Sequence, residues 1–178
     1  MKIEFSEKVM DIKRIFGNIF DAEILKFNLQ HVSIFIAVYE NMVNMVTENV
    51  KGFYLQGFSQ LDLDGSCSKS LEYSMNHECY HEDIDGYRNY YSREYKEKII
   101  DHKVNGKRNI LLATMNWFVE NQAMTQEEFE NFLIIRDHRN KYVHEMTKFL
   151  FEGLPESSQQ TFIDLLQLYA KLDKWWIN

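Results

Sequence analysis

Proline occurs once and glycine seven times in 178 residues. So few breakers favour long helices over many short strands. Cysteine is nearly absent too. Cys67 and Cys79 make no disulfide framework and lack C-x-x-C spacing, which points to a reducing, cytoplasmic location and away from a redox site. No apolar run is long: Ile34 to Val38 falls far short of a bilayer span. The start, Met1-Lys2-Ile3-Glu4-Phe5, lacks the basic-then-apolar layout of a signal peptide. Positive charge is not in excess. A net charge of −7 argues against a surface built wholly for nucleic acid, while leaving room for a local basic groove. What is present is ordinary for a globular chain, 45% apolar and 26% charged. The expectation is a soluble single domain over residues 1–178, with no membrane partner.

The apolar pattern divides this domain into about five main helices, an all-α antiparallel bundle. Ser6 can cap a first helix toward Phe20, with Val9, Ile12, Ile15, Phe16 and Ile19 on one side. A much longer helix follows from about Ala22 to Val50, ending near Gly52. Residues 52–86 read as an elaborated connection, with Asp62-Leu63-Asp64-Gly65-Ser66 as a turn and a short helix from Ser68 to Tyr80. A polar, tyrosine-rich helix is predicted over Tyr87 to His102, a turn at Asn105-Gly106, and a buried helix from Lys107 to Asn121. Thr125-Gln126-Glu127-Glu128 has capping-box spacing and opens a helix that Gly153 can end. Pro155 suits the first turn of a final helix carrying Phe162, Leu165, Leu168, Leu172 and Trp176.

The helix opened by Thr125 contains Ile134-Ile135-Arg136-Asp137-His138-Arg139-Asn140-Lys141-Tyr142-Val143-His144-Glu145. At about 100° per residue from Phe129, residues Phe132, Leu133, Val143, Met146 and Leu150 gather on one arc, widened by Ile135, Tyr142 and Phe149. Arg136, Arg139 and Asn140 fall inside that arc and His144 at its edge, while Asp137, His138 and Lys141 face outward. Arginines on an apolar face are costly unless paired or bound to an anion. Arg136, Asn140 and His144 succeed one another at one-turn intervals, with Arg139 to the side. An arginine fork holds phosphate, a histidine near neutrality moves protons, and an amide orients either. That inventory suffices for metal-free RNA cleavage, in which a 2′-OH attacks its neighbouring phosphate. Two copies across a two-fold axis would enclose a phosphate cleft. The competing expectation is that Arg136 and Arg139 pair with carboxylates such as Glu128 or Asp137, with His144 a satisfied buried histidine.

Arg139-Asn140-x-x-x-His144, preceded by the apolar Phe132-Leu133-Ile134-Ile135, resembles the signature of the HEPN superfamily of all-helical domains. The likeness covers roughly Thr125 to Phe151 well and the remaining helices loosely. It implies a homodimeric, metal-independent endoribonuclease of a toxin–antitoxin or antiphage-defence type, with no cofactor. Arg139, Asn140 and His144 would be catalytic, with an antitoxin or regulatory protein as partner; Arg136, from its place one turn before Asn140, is expected to support the site or to add a phosphate contact. Some members bind nucleotides or partners without cleaving RNA, which is the alternative. Several family toxins carry a tyrosine two residues after the histidine, where a partner enzyme modifies it. Met146 stands there in this chain, so the likeness does not extend to that mode of neutralisation.

Other segments compete. Tyr87, Arg88, Tyr91 and Arg93, with Lys107 and Arg108 beyond, interleave rings and cations as a single-stranded RNA groove would. The plainer reading is an exposed helix whose tyrosines lie over the bundle. His77-Glu78-Cys79-Tyr80-His81 is a literal H-E-x-x-H, which on a helix would bind zinc for a hydrolase. Its polar, turn-like flanks make that a distant third, and no metal site is expected. Asp62-Leu63-Asp64-Gly65 is too short for a calcium loop.

Overall fold

A computed structural model describes Gly17 and residues 21–61, 80–104 and 106–177. Most of it is helical: α1 (Ala22–Phe53), α2 (Arg93–Tyr95) running into a π-helical turn (Lys96–Ile100), α3 (Ile110–Glu120), α4 (Gln126–His144), α5 (Met146–Glu152) and α6 (Ser158–Ile177). Strands β1 (Leu55–Gln60), β2 (Tyr80–Ile84) and β3 (Tyr87–Tyr91) form an antiparallel sheet in the order β1-β3-β2. The short β4 (Lys103–Val104) pairs with β5 (Lys107–Arg108). The sheet corrects the all-α expectation. Apart from Gly17, the expected helix from Ser6 to Phe20 lies outside the described residues, as do Asp62–Ser66, both cysteines and Asn105. No helix among the described residues is long and apolar enough to cross a membrane.

The chain divides into two compact units, Met1–Met42 with Gln126–Lys174, and Val43–Thr125 with Trp175–Asn178. In the first, Asp21 caps α1 by accepting hydrogen bonds from the amides of Glu23 (3.0 Å) and Ile24 (3.2 Å). Asn28, Val32, Phe35, Tyr39 and Met42 then bury at alternating spacings of four and three, the stripe of a core-facing helix. Phe35 meets Tyr142 edge-on at 5.0 Å and Tyr39 stacks on Phe132 at 6.3 Å. Burying a side chain of that size contributes about 1.5–3 kcal/mol. The helix expected to run unbroken to Gly153 is instead two. Glu145 (φ −119°, ψ 22°) separates α4 from α5, and Gly153 (φ 94°) ends α5 in a conformation that favours glycine.

In the second unit, β2 and β3 form a two-residue hairpin. Asp85 (φ 51°) and Gly86 (φ 80°) both take positive φ, as a type I′ turn requires. Residues 87–91, predicted helical, are therefore a strand, and α2 begins only after Ser92 caps it. The predicted helix over Lys107 to Asn121 shortens to α3, capped by Asn109 accepting from the Leu112 amide at 3.0 Å. Tyr54, Tyr91 and Tyr95 bury together, and the Trp117 indole donates to the Tyr54 hydroxyl at 2.8 Å. Trp175 and Trp176 pack against Trp117 and Phe118 with ring centroids 5.6–6.3 Å apart. Lys51, in the last turn of α1, is paired with Glu82 on β2 at 2.6 Å.

Candidate functional site

Helix α4 has acidic residues in its first turn (Glu127, Glu128) and Lys141 and His144 in its last, the arrangement its dipole favours. Its buried residues are Phe129, Phe132, Ile135 and Tyr142. The core face thus lies within the arc expected from the sequence but shifted toward its Ile135 and Tyr142 side: Leu133 is half-buried and Val143 exposed. Large aromatic groups decide which face goes inside, because each removes more apolar surface from water than Val143 can. Between Ile135 and Tyr142 the inward turn is occupied by His138 and Arg139, both half-buried. His138 was expected to face outward. Instead it meets the Tyr142 ring at 6.1 Å, and its Nε2 lies 3.4 Å from the Ser157 hydroxyl. Burial holds its pKa below the ordinary histidine value, with Lys141 adding to the effect and Asp137 opposing it.

Arg139 does not lie bare on an apolar face. Its Nε donates to Oε1 of Glu40 at 2.8 Å, and its Nη2 donates to the same oxygen. Nη1 donates to Oδ1 of Asn140 at 3.3 Å, and the guanidinium carbon lies 5.8 Å from the centre of the Tyr39 ring. The carboxylate partner is therefore Glu40, not Glu128 or Asp137; Glu128 instead holds Lys171 at 2.6 and 2.7 Å. Burial pushes the Tyr39 phenol up to about 12, against the opposing charges of Arg136 and Arg139. Arg136 is looser, its Nη2 3.7 Å from Oδ1 of Asp137, an ion-pair distance beyond hydrogen-bond reach. Asn140 is half-buried, and His144 is exposed at the end of α4, not a buried histidine. Arg136, Arg139, Asn140 and His144 thus share one helix in one unit, the first three half-buried and His144 in solvent.

The residues expected to line an RNA groove belong to the second unit. Tyr87 is exposed on β3, but Tyr91 is only 3% exposed and its ring is unavailable for stacking on a base. Arg88 donates to both carboxylate oxygens of Asp83 on β2, at 2.7 and 2.9 Å. Arg93 pairs with Glu97 at 2.6 Å and Arg108 with Asp101 at 3.0 Å, while Lys107 is exposed on β5. These arginines are charge-matched within the sheet and the helix after it, which weakens the groove reading. His81 lies on strand β2, not on the helix a zinc H-E-x-x-H needs, and His77 to Cys79 are outside the described residues. Among the described residues no group of three or more His, Cys, Asp or Glu is placed to hold a metal.

A shallow cleft of about 160 Å³ in the first unit is lined by Glu128, Asn131, Asp164, Gln167, Leu168 and Lys171. None of these is a motif residue, and with Glu128 paired to Lys171 the charge left in the lining is the Asp164 carboxylate. Two residues were absent from the sequence reading of the site, Tyr39 and Glu40. Their signal was slight, a charge following an aromatic of the apolar stripe in a helix that carries other charges. Compared with known proteins, the chain matches no protein-family model, no curated protein and no solved structure.

Proposed function

We propose that α4 carries the phosphate-handling site of a metal-independent endoribonuclease of the toxin or antiphage-defence type. The protein would be a HEPN-like helical domain acting as a homodimer. His144 is the general base or acid, Arg139 binds and neutralises the scissile phosphate, Asn140 orients them, and Arg136 adds a second phosphate contact. The observation that carries this reading is the accessibility of the set. His144 is exposed, Arg136 and Arg139 each keep 29% of their side-chain surface open, and all four lie within nine consecutive residues of one helix. Val143, 41% exposed between them, gives a second copy an apolar contact on the same helix.

The test is RNA cleavage by purified protein in excess EDTA, comparing wild type with Arg139→Ala and His144→Ala and analysing product ends. Expected are 2′,3′-cyclic phosphate ends from wild type and loss of cleavage in both variants. Cleavage unchanged in His144→Ala would overturn the assignment. A second reading is a non-catalytic dimer that binds a nucleotide or protein partner. It is favoured by one observation, that Glu40 already satisfies two of the Arg139 donors. In that case wild type cleaves no RNA, and His144→Ala leaves partner binding intact.

A further inference from the structure

We infer that Glu40 is a positioning residue that holds the Arg139 guanidinium in a fixed seat, leaving one edge of its fork for a phosphate. The inference rests on the proposed phosphate-handling role of α4.

A guanidinium carries five N–H donors in one plane. Glu40 engages the side edge, because Nε and Nη2 both donate to its Oε1. Asn140 takes one donor of Nη1. That leaves one donor on Nη1 and one on Nη2, the two nitrogens of the distal fork, and a phosphate oxygen pair can accept from such a fork. The seat has a floor as well as a wall. Tyr39 lies 5.8 Å beneath the guanidinium carbon, and its own ring is held by near-parallel stacking on Phe132, with an interplanar angle of 4°. Tyr39 and Glu40 are consecutive in α1, so one turn of that helix supplies both contacts.

An arginine otherwise loses much side-chain freedom when it binds a ligand, and a preformed seat removes that cost before binding. The carboxylate charge works the other way, by offsetting the attraction of Arg139 for an anion. Glu40 keeps 42% of its side-chain surface exposed, so the surrounding water weakens this opposition. Orientation therefore outweighs neutralisation. The alternative, a carboxylate guard that competes with phosphate, predicts the opposite sign.

The experiment uses the full chain, labelled with ¹⁵N, and follows the Arg139 Nε–H resonance, assigned by its disappearance in Arg139→Lys. Inorganic phosphate is the probe, titrated into wild type, Glu40→Gln and Glu40→Ala. Glutamine keeps the carbonyl acceptor and discards the charge, so it separates seat from guard. Expected is a sharp resonance that phosphate shifts in wild type and in Glu40→Gln. In Glu40→Ala it broadens or is lost, and phosphate affinity falls about tenfold, the scale of one charge-assisted contact. Glu40→Ala placed on Arg139→Lys should cost no further affinity. The proposal is overturned if phosphate leaves the wild-type resonance unmoved, or if both Glu40 variants bind phosphate more tightly than wild type. The RNase reading stands or falls separately, on cleavage of RNA by the same wild-type preparation. A seated, phosphate-binding Arg139 in a protein that cleaves nothing keeps the seat and discards the nuclease.

Discussion

Replacing Tyr142 by phenylalanine should stabilise this protein, although Tyr142 is fully buried in the helix that carries the candidate site. Its ring meets Phe35 at 5.0 Å, Phe149 at 5.3 Å, and His31 and His138 at 6.1 Å. Phenylalanine keeps every one of those contacts. What changes is the hydroxyl, which is buried with no hydrogen-bond partner among the described residues. Burial holds that phenol above its ordinary pKa, and the nearby Ser158 hydroxyl, itself unpaired, opposes the shift without reaching hydrogen-bond geometry. Releasing an unsatisfied buried hydroxyl is worth about 1–3 kcal/mol. Against this stands a void of roughly 10 Å³ where the oxygen was, costing about 0.2–0.3 kcal/mol. The net expectation is a gain of about 1 kcal/mol, or about 2–4 °C in Tm for a chain of this size. Urea titration followed by circular dichroism measures it, provided the slope with denaturant is unchanged. A loss of about 1 kcal/mol would show instead that the two hydroxyls are hydrogen-bonded in solution. Ser158→Ala would then be destabilising as well, and the two losses would not add.

Stability should fall in acid because of two histidines. His31, by burial, and His138, by burial and Lys141, both have pKa values below the ordinary one. The unfolded chain therefore takes up their protons first, so their contribution is complete above about pH 6.5 and lost as pH falls toward the depressed native values. His31→Phe should flatten the slope of the urea midpoint between about pH 7.5 and 5; an identical slope would exclude His31 as a source. Gly86→Ala, at φ 80° in the hairpin turn, should cost about 1 kcal/mol through backbone strain alone, since nothing lies within 4 Å of the added carbon. A neutral result there would mean the turn readily takes another form. Asp21→Ala should cost about 1 kcal/mol by uncapping α1, read as a lowered Tm, and Asp21→Asn should recover most of it.

The long helices were legible because their signals are redundant. Over α1 the apolar residues recur for eight turns, and the expected span from Ala22 to Val50 differs from the observed Ala22–Phe53 only at its end. The sheet was not, although one of its signals was present. Asp85-Gly86 is the dipeptide a type I′ hairpin wants, but the flanking His81-Glu82-Asp83 and Arg88-Asn89 dilute the apolar alternation that marks a strand. Tyrosine compounds the ambiguity. Tyr87, Tyr90, Tyr91 and Tyr95 suit an amphipathic helix about as well as a strand, and only the register Tyr80↔Tyr91 and Ile84↔Tyr87 decides between them.

At the candidate site the residue types were readable from the sequence and their partners were not. Spacing alone puts Arg136, Asn140 and His144 along one edge of α4. It treats Val143 and Phe132 as equal, however, and so misplaces the centre of the buried face and how far His144 stands in solvent. The pairing of Arg139 with Glu40 joins residues 99 apart in sequence. No local pattern encodes such a contact, because it follows from which helices meet, and that is settled by Phe35 against Tyr142 and Tyr39 against Phe132. The aromatic core thus does more than stabilise the first unit. By fixing the register of α1 against α4 it decides which carboxylate Arg139 meets, and so whether its fork is loose or held. A change that slides this register, such as Phe35→Ala at a cost of about 3–5 kcal/mol, should disturb the Arg139 Nε–H resonance with Glu40 still in place. An unchanged resonance in a folded Phe35→Ala protein would show that the ion pair finds its own geometry.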